Sequence, residues 1–195
     1  MNFLAHAYLS GDSDLLLIGN FIADSLRGNS FHQYPKELQK GIHLHRKIDI
    51  YTDSHPAVIS TKEKIRKDFG KYASVVTDIY YDHFLAYHWT LYSDTPLSEY
   101  VGYVYKLLEE YKQFLPDDIQ GFLPYMIRDN WLFNYGNFHG LEKVFKGMAK
   151  RASHTSNMEQ ATQVLKNHYD SIEADFFSFF PEVKKFALNE IYRLS

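Results

Sequence analysis

The chain has 195 residues, 45% hydrophobic and 23% charged, with a formal net charge of −3; these figures fit an ordinary globular domain and exclude disordered and collagen-like chains. With no cysteine, disulfides, thiolate ligands and a cysteine nucleophile are excluded, so any metal must be held by His, Asp, Glu or backbone oxygen. The acidic balance gives no general attraction for nucleic acid, and the first twenty residues show neither a basic leader nor an apolar run long enough for a bilayer, which predicts a cytoplasmic protein with no membrane or nucleic-acid partner.

Apolar residues recur at three- and four-residue spacing almost throughout, and no run reads as a strand, so the expected fold is all-α, one helical domain over residues 1–195. Asp12 or Ser13 is placed to cap a first helix carrying Leu15, Leu16, Ile18, Phe21, Ile22 and Leu26 and stopping at Gly28. Pro35 suits the first turn of a second helix running to about Asp53, and Pro56 that of a third ending near Gly70. A fourth helix spans Ser74 to Tyr92, and a fifth opens at Thr95-Pro96 with Val101, Val104, Leu107 and Leu108 on its apolar face. Pro116 and Pro124 bracket a break before a helix through Trp131, and Gly136, Gly140 and Gly147 punctuate the next stretch. From Met158 to Leu194 the pattern predicts one long helix interrupted at Pro181, since proline lacks the helical N–H.

Seven of the ten histidines fall in the first 88 residues, alongside aspartates at helical intervals. His45, Asp49 and Asp53 follow at i, i+4 and i+8 on the second helix, so they project from one face. Asp78 and Asp82 repeat the four-residue spacing on the fourth, with His83 adjacent. Such pairs also occur on solvated faces, bonding each other or a neighbouring cation. Here they sit among bulky apolar residues, as in Ile48-Asp49-Ile50-Tyr51 and Tyr80-Tyr81-Asp82-His83-Phe84-Leu85, and buried carboxylates need a partner. Two such helices face to face can surround a divalent metal. His6 and Asp24 are further single polar groups in apolar context; Asn20 and Asp24 share a helical face, and Arg27 follows with a fork suited to phosphoryl oxygens or to a salt bridge with Asp24.

The blocks Met1-Asn2-Phe3-Leu4-Ala5-His6, Gly19-Asn20 with Ala23-Asp24 and Arg27-Gly28, Gly41-Ile42-His43-Leu44-His45-Arg46 with Ile48-Asp49 and Thr52-Asp53, Asp82-His83-Phe84-Leu85 and His88-Trp89 resemble the acyl carrier protein phosphodiesterase family. The similarity extends more weakly through Trp131 and Gly147-Met148-Ala149 to the C-terminal helices. The resemblance implies a helical bundle related to HD-type metal phosphohydrolases and a divalent cofactor, Mn²⁺ first, with Mg²⁺ or another ion as alternatives. It implies hydrolysis of the phosphodiester joining 4′-phosphopantetheine to a serine of holo acyl carrier protein, in the setting of fatty acid biosynthesis. The pair here runs Asp82-His83, the reverse of the HD order.

On that resemblance the metal is expected among His6, Asp24, His45, Asp49, Asp82 and His83, and the catalytic residues are Asp24, His43, Arg27 and Arg46. His43 or His83 would protonate the leaving serine oxygen, and Arg27 or Arg46 would offset charge on the phosphoryl oxygens. Lys62, Lys64, Arg66, Lys67 and Lys71 form the densest basic run, either a docking face for an acidic carrier or a solvated helix face. Two other readings stay open: a phosphohydrolase acting on a small nucleotide, and a non-catalytic carrier-binding protein.

Overall fold

The computed structural model describes residues 1–28 and 30–194. These form eleven α-helices joined by short turns and 3-10 segments, with no strand among the described residues. None of the helices is long and apolar enough to cross a membrane.

Helix α1 (Phe3–Tyr8) precedes α2 (Asp14–Ile22), whose first turn is capped by Ser13 Oγ accepting from Leu16 N at 3.4 Å. No local side chain caps α1; its first N–H groups donate instead to the distant Asp82 carboxylate. After α2 the chain tightens into a 3-10 turn, Ala23–Ser25, so the first expected helix ends earlier than Gly28. Helix α3 (Lys36–Ser54) and α4 (Pro56–Phe69) meet at His55, whose Nδ1 accepts from Ala57 N at 3.2 Å with Pro56 behind it in the first turn. Gly70, at φ +52°, closes α4 in a conformation L side chains disfavour.

Helices α5 (Ala73–Tyr87), α6 (Leu97–Glu110), α7 (Asp117–Arg128), α8 (Trp131–Asn134) and α9 (Phe138–Arg151) follow. Pro124 lies inside α7, and Gly140 and Gly147 lie inside α9, where breaks were expected. Pro124 is exposed, so the carbonyl its missing N–H leaves free can reach water. The last stretch likewise divides at His168, into α10 (Ala161–Asn167) and α11 (Tyr169–Leu194), and α11 runs unbroken through exposed Pro181. At 26 residues α11 is roughly 39 Å long. It packs on α3, α4, α5 and α10.

One continuous apolar cluster fills the interior, with Phe176 and Phe179 of α11 against Tyr81 and Phe84 of α5. The buried phenols are satisfied: Tyr80 donates to Ala161 O at 2.6 Å, and Tyr81 shares a 3.0 Å bond with Thr61. Much of the aromatic share of the sequence goes into these contacts.

Candidate metal centre

Helices α2 and α3 touch backbone to backbone. A Cβ built on Gly19 would stand 2.1 Å from Leu38 O, and one on Gly41 would stand 2.3 Å from Leu16 O, so only glycine admits this crossing. Asn20 follows Gly19, and His45 lies one turn beyond Gly41, so the contact carries each toward the other. Helix α1 packs on α2 and adds His6.

His6 Nδ1 lies 2.8 Å, and His45 Nδ1 3.0 Å, from the same atom, Asn20 Oδ1. The two rings stack at 3.9 Å between centroids and 21° between planes. Their Nε2 atoms face carboxylates: His6 Nε2 is 3.2 Å from Asp49 Oδ1, and His45 Nε2 is 3.0 Å from both Asp49 Oδ2 and Asp24 Oδ1. His6 and His45 are buried, whereas the Asp49 and Asp24 side chains are 39% and 77% exposed. The centre therefore has an interior wall of imidazole and an open mouth of carboxylate.

Burial, reinforced by the charge on His45, lowers the His6 pKa to about 4. Burial also works to lower that of His45, but hydrogen bonds and charge from Asp24 and Asp49 outweigh it and push it up to about 9. Burial of the Asp49 carboxyl is likewise outweighed, by its interaction with His45 and by the closeness of the His6 ring, and it is held well below the usual carboxylate range. The hydrogen bond from His45 lowers Asp24 as well. A protonated His45 thus supplies the positive charge between the two acids.

His6, His45 and Asp49 bring ligand atoms within 4.8 Å of one another, a group that can hold a metal ion. The fit rests on His6 Nε2, which is buried and makes no hydrogen bond among the described residues despite its closeness to Asp49. A buried nitrogen left in that state beside a carboxylate is what a cation would satisfy.

The structure does not bring Asp82 and His83 to this cluster. Asp82 is fully buried and accepts from Asn2 N (3.2 Å), Leu4 N (2.8 Å) and Ala5 N (3.2 Å), the external cap of α1. Burial pushes its carboxyl up to about 7 against those three donors. His83 is consumed by Tyr135 O at 2.8 Å and Tyr169 Oη at 3.1 Å, and burial lowers it to about 4. Asp78 pairs with the Met1 ammonium at 3.0 Å, and Asp53 with Lys62 at 2.6 Å. His43 stands two residues before His45, which turns it to another face of α3, where it is exposed and meets the Phe31 ring edge at 5.1 Å. Arg46 lies over Phe31 at 4.7 Å and reaches Gly28 O at 3.5 Å, while Arg27 is exposed in the same turn. In the basic run, Lys62 and Lys64 are tied to Asp53 and Asp175, whereas Arg66 and Lys67 are exposed. Asn20, to which spacing alone assigned no more than a face shared with Asp24, proves central.

Fold and site together define an all-helical protein with a candidate centre of two histidines and a carboxylate. The model of the acyl carrier protein phosphodiesterase family matches residues 1–183, and the chain belongs to that family of enzymes. The acyl carrier protein phosphodiesterase of Salmonella agona (strain SL483) is 36% identical over 187 residues, covering 94% of this chain and 95% of the relative. That of Enterobacter sp. (strain 638) is 36% identical over 194 residues, with 97% and 99% covered, and that of Photorhabdus laumondii is 33% identical over 191 residues, with 97% and 96% covered. No solved structure matches the chain.

Proposed function

We propose that this protein hydrolyses the phosphodiester between 4′-phosphopantetheine and a serine of holo acyl carrier protein, giving apo carrier and free 4′-phosphopantetheine, with a divalent ion at His6, His45 and Asp49. The observation that carries the metal-dependent part is the buried, unbonded His6 Nε2 beside Asp49; the carrier substrate rests on the family match over residues 1–183. The family resemblance puts Mn²⁺ first, with Mg²⁺ or another divalent ion as alternatives, and imidazole and carboxylate donors can hold any of these.

When bound, such an ion would polarise a phosphoryl oxygen and acidify a water molecule. The chain's own residues divide the remaining work. Asp24, on the open side, is placed to complete the ligand set and to hold the attacking water by hydrogen bonding. Arg46, braced on Phe31, and Arg27 beside it offer positive charge to the oxygens on which negative charge grows. His83 takes no part, because Tyr135 and Tyr169 use both its nitrogens, and His43, exposed beside the same Phe31 ring as Arg46, is the group to protonate the leaving serine oxygen. Arg66 and Lys67 remain the exposed cations of the α4 run for docking an acidic carrier in the cytoplasm. Raised salt should then weaken encounter, and a salt-independent rate would remove that face from the proposal.

Incubation with holo carrier and Mn²⁺, followed by intact mass spectrometry, tests the reading. A mass loss equal to phosphopantetheine, abolished by chelator, is expected. An unchanged carrier across several divalent metals, with turnover of a small nucleotide instead, would overturn it.

A further inference from the structure

We propose that Asn20 is a positioning residue of the metal centre: its one carbonyl oxygen accepts Nδ1–H from both His6 and His45 and so turns both Nε2 atoms toward Asp49, where a metal would take the place of the Nε2 proton of His45. The role in metal binding rests on the function proposed above; the tautomer assignment does not.

The orientation of the amide fixes the tautomers. Asn20 Nδ2 lies 3.0 Å from His6 O and 3.0 Å from Ser10 Oγ, and Ser10 Oγ itself donates to His6 O at 2.8 Å. A main-chain carbonyl only accepts, and the serine hydrogen is already committed, so the group facing them must be the NH₂. Turning the amide over would set oxygen against oxygen in a site where Asn20 is fully buried and water cannot relieve the clash. Oδ1 therefore faces the rings, and an oxygen can only accept, so each Nδ1 must carry its hydrogen. With Nδ1–H fixed behind each ring, Nε2 is the nitrogen left to coordinate, directly on His6 and after loss of its Nε2 proton on His45, and it is the atom directed at the carboxylates.

Metal-binding histidines are commonly held by an acceptor behind the ring, usually one acceptor for each ring. Here a single side chain serves both, and Ser10 locks that side chain. Losing the acceptor should release both rings at once, and His6 would gain an Nε2–H that can donate to Asp49 in place of coordinating.

The test uses the full chain with ¹⁵N-labelled histidine and Zn²⁺ alone as a diamagnetic probe. In the metal-free protein, ring couplings should show a hydrogen on Nδ1 of His6; a His6 ring with its hydrogen on Nε2 alone would overturn the proposal whether or not metal binds. With Zn²⁺, both rings should keep Nδ1–H and coordinate through Nε2. Asn20→Leu, similar in size but with no acceptor, should lose roughly ten- to a hundredfold in Zn²⁺ affinity. Asn20→Asp keeps the acceptor and loses the amide hydrogens, so it should melt lower yet retain the tautomers and most of the affinity. If Asn20→Leu binds Zn²⁺ as wild type does, or if Asn20→Asp loses as much affinity as Asn20→Leu, Asn20 acts by packing alone and the proposal fails. A wild-type chain that takes up no Zn²⁺ would overturn the role of Asn20 at a metal, and that result is distinguishable from a metal-binding wild type whose Asn20 variants bind equally well.

Discussion

Helices α3 and α5 each carry histidine and aspartate in buried or half-buried positions, and they use them in opposite ways. On α3, His45 and Asp49 stand one turn apart and meet His6 with a nitrogen left over. On α5, Asp82 and His83 are neighbours in sequence, so they point about 100° apart. Each is committed to architecture there: Asp82 to three N–H groups of the N-terminal segment, and His83 to Tyr135 and Tyr169. Residue type alone therefore does not mark a reactive group; an uncommitted lone pair does.

Substitutions on the two helices should separate this contrast. The largest effect is expected for Asp49→Ala, with turnover and metal affinity falling by more than about a hundredfold, beyond what loss of an outer partner causes; activity and bound metal measured together check it. Asp82→Ala should behave differently, losing about 3 kcal/mol in denaturant unfolding as three N–H groups lose their acceptor, while any folded fraction still binds metal. If Asp82→Ala stripped the metal at unchanged stability, the contrast would collapse. His83→Phe, which keeps a ring among Tyr87, Phe138 and Tyr169, should cost about 1 kcal/mol through the Tyr135 carbonyl left unpaired.

The pH dependence of the metal-free protein sharpens the comparison further, because the two histidines slope in opposite directions. His45, raised to about 9, contributes stability that is full below its ordinary pKa near 6.5 and is lost as pH rises through 9. His83, lowered to about 4, stays neutral while the unfolded chain takes up a proton, so stability falls as pH drops from 6.5 toward 4. Melting curves against pH should flatten on the alkaline side in His45→Gln and on the acid side in His83→Phe. A single slope shared by both variants would show that the two rings do not differ in charge.

Much of this was legible in the sequence. The limits of α3 and α4 could be read from Pro35, Pro56 and Gly70, because proline and glycine act on the backbone locally. Helix α1 could not, since its cap, Asp82, is supplied from 80 residues away. Pro124 and Pro181 misled because exposure decides whether a free carbonyl is costly, and exposure is a property of the fold. His45 and Asp49 were readable from their spacing, and His6 from its apolar setting. Asn20 was not, because its importance lies in which of its two amide atoms faces the rings, and that is fixed by Ser10 and a backbone carbonyl.

The crossing at Gly19 and Gly41 has an evolutionary consequence. Backbone thickness alone sets the separation of α2 and α3 there, and a mutation can add to it but never reduce it. The dimensions of the centre can be lost in one step but not adjusted in small ones. A lineage seeking a different ion would have to exchange the kind of ligand rather than resize the cage.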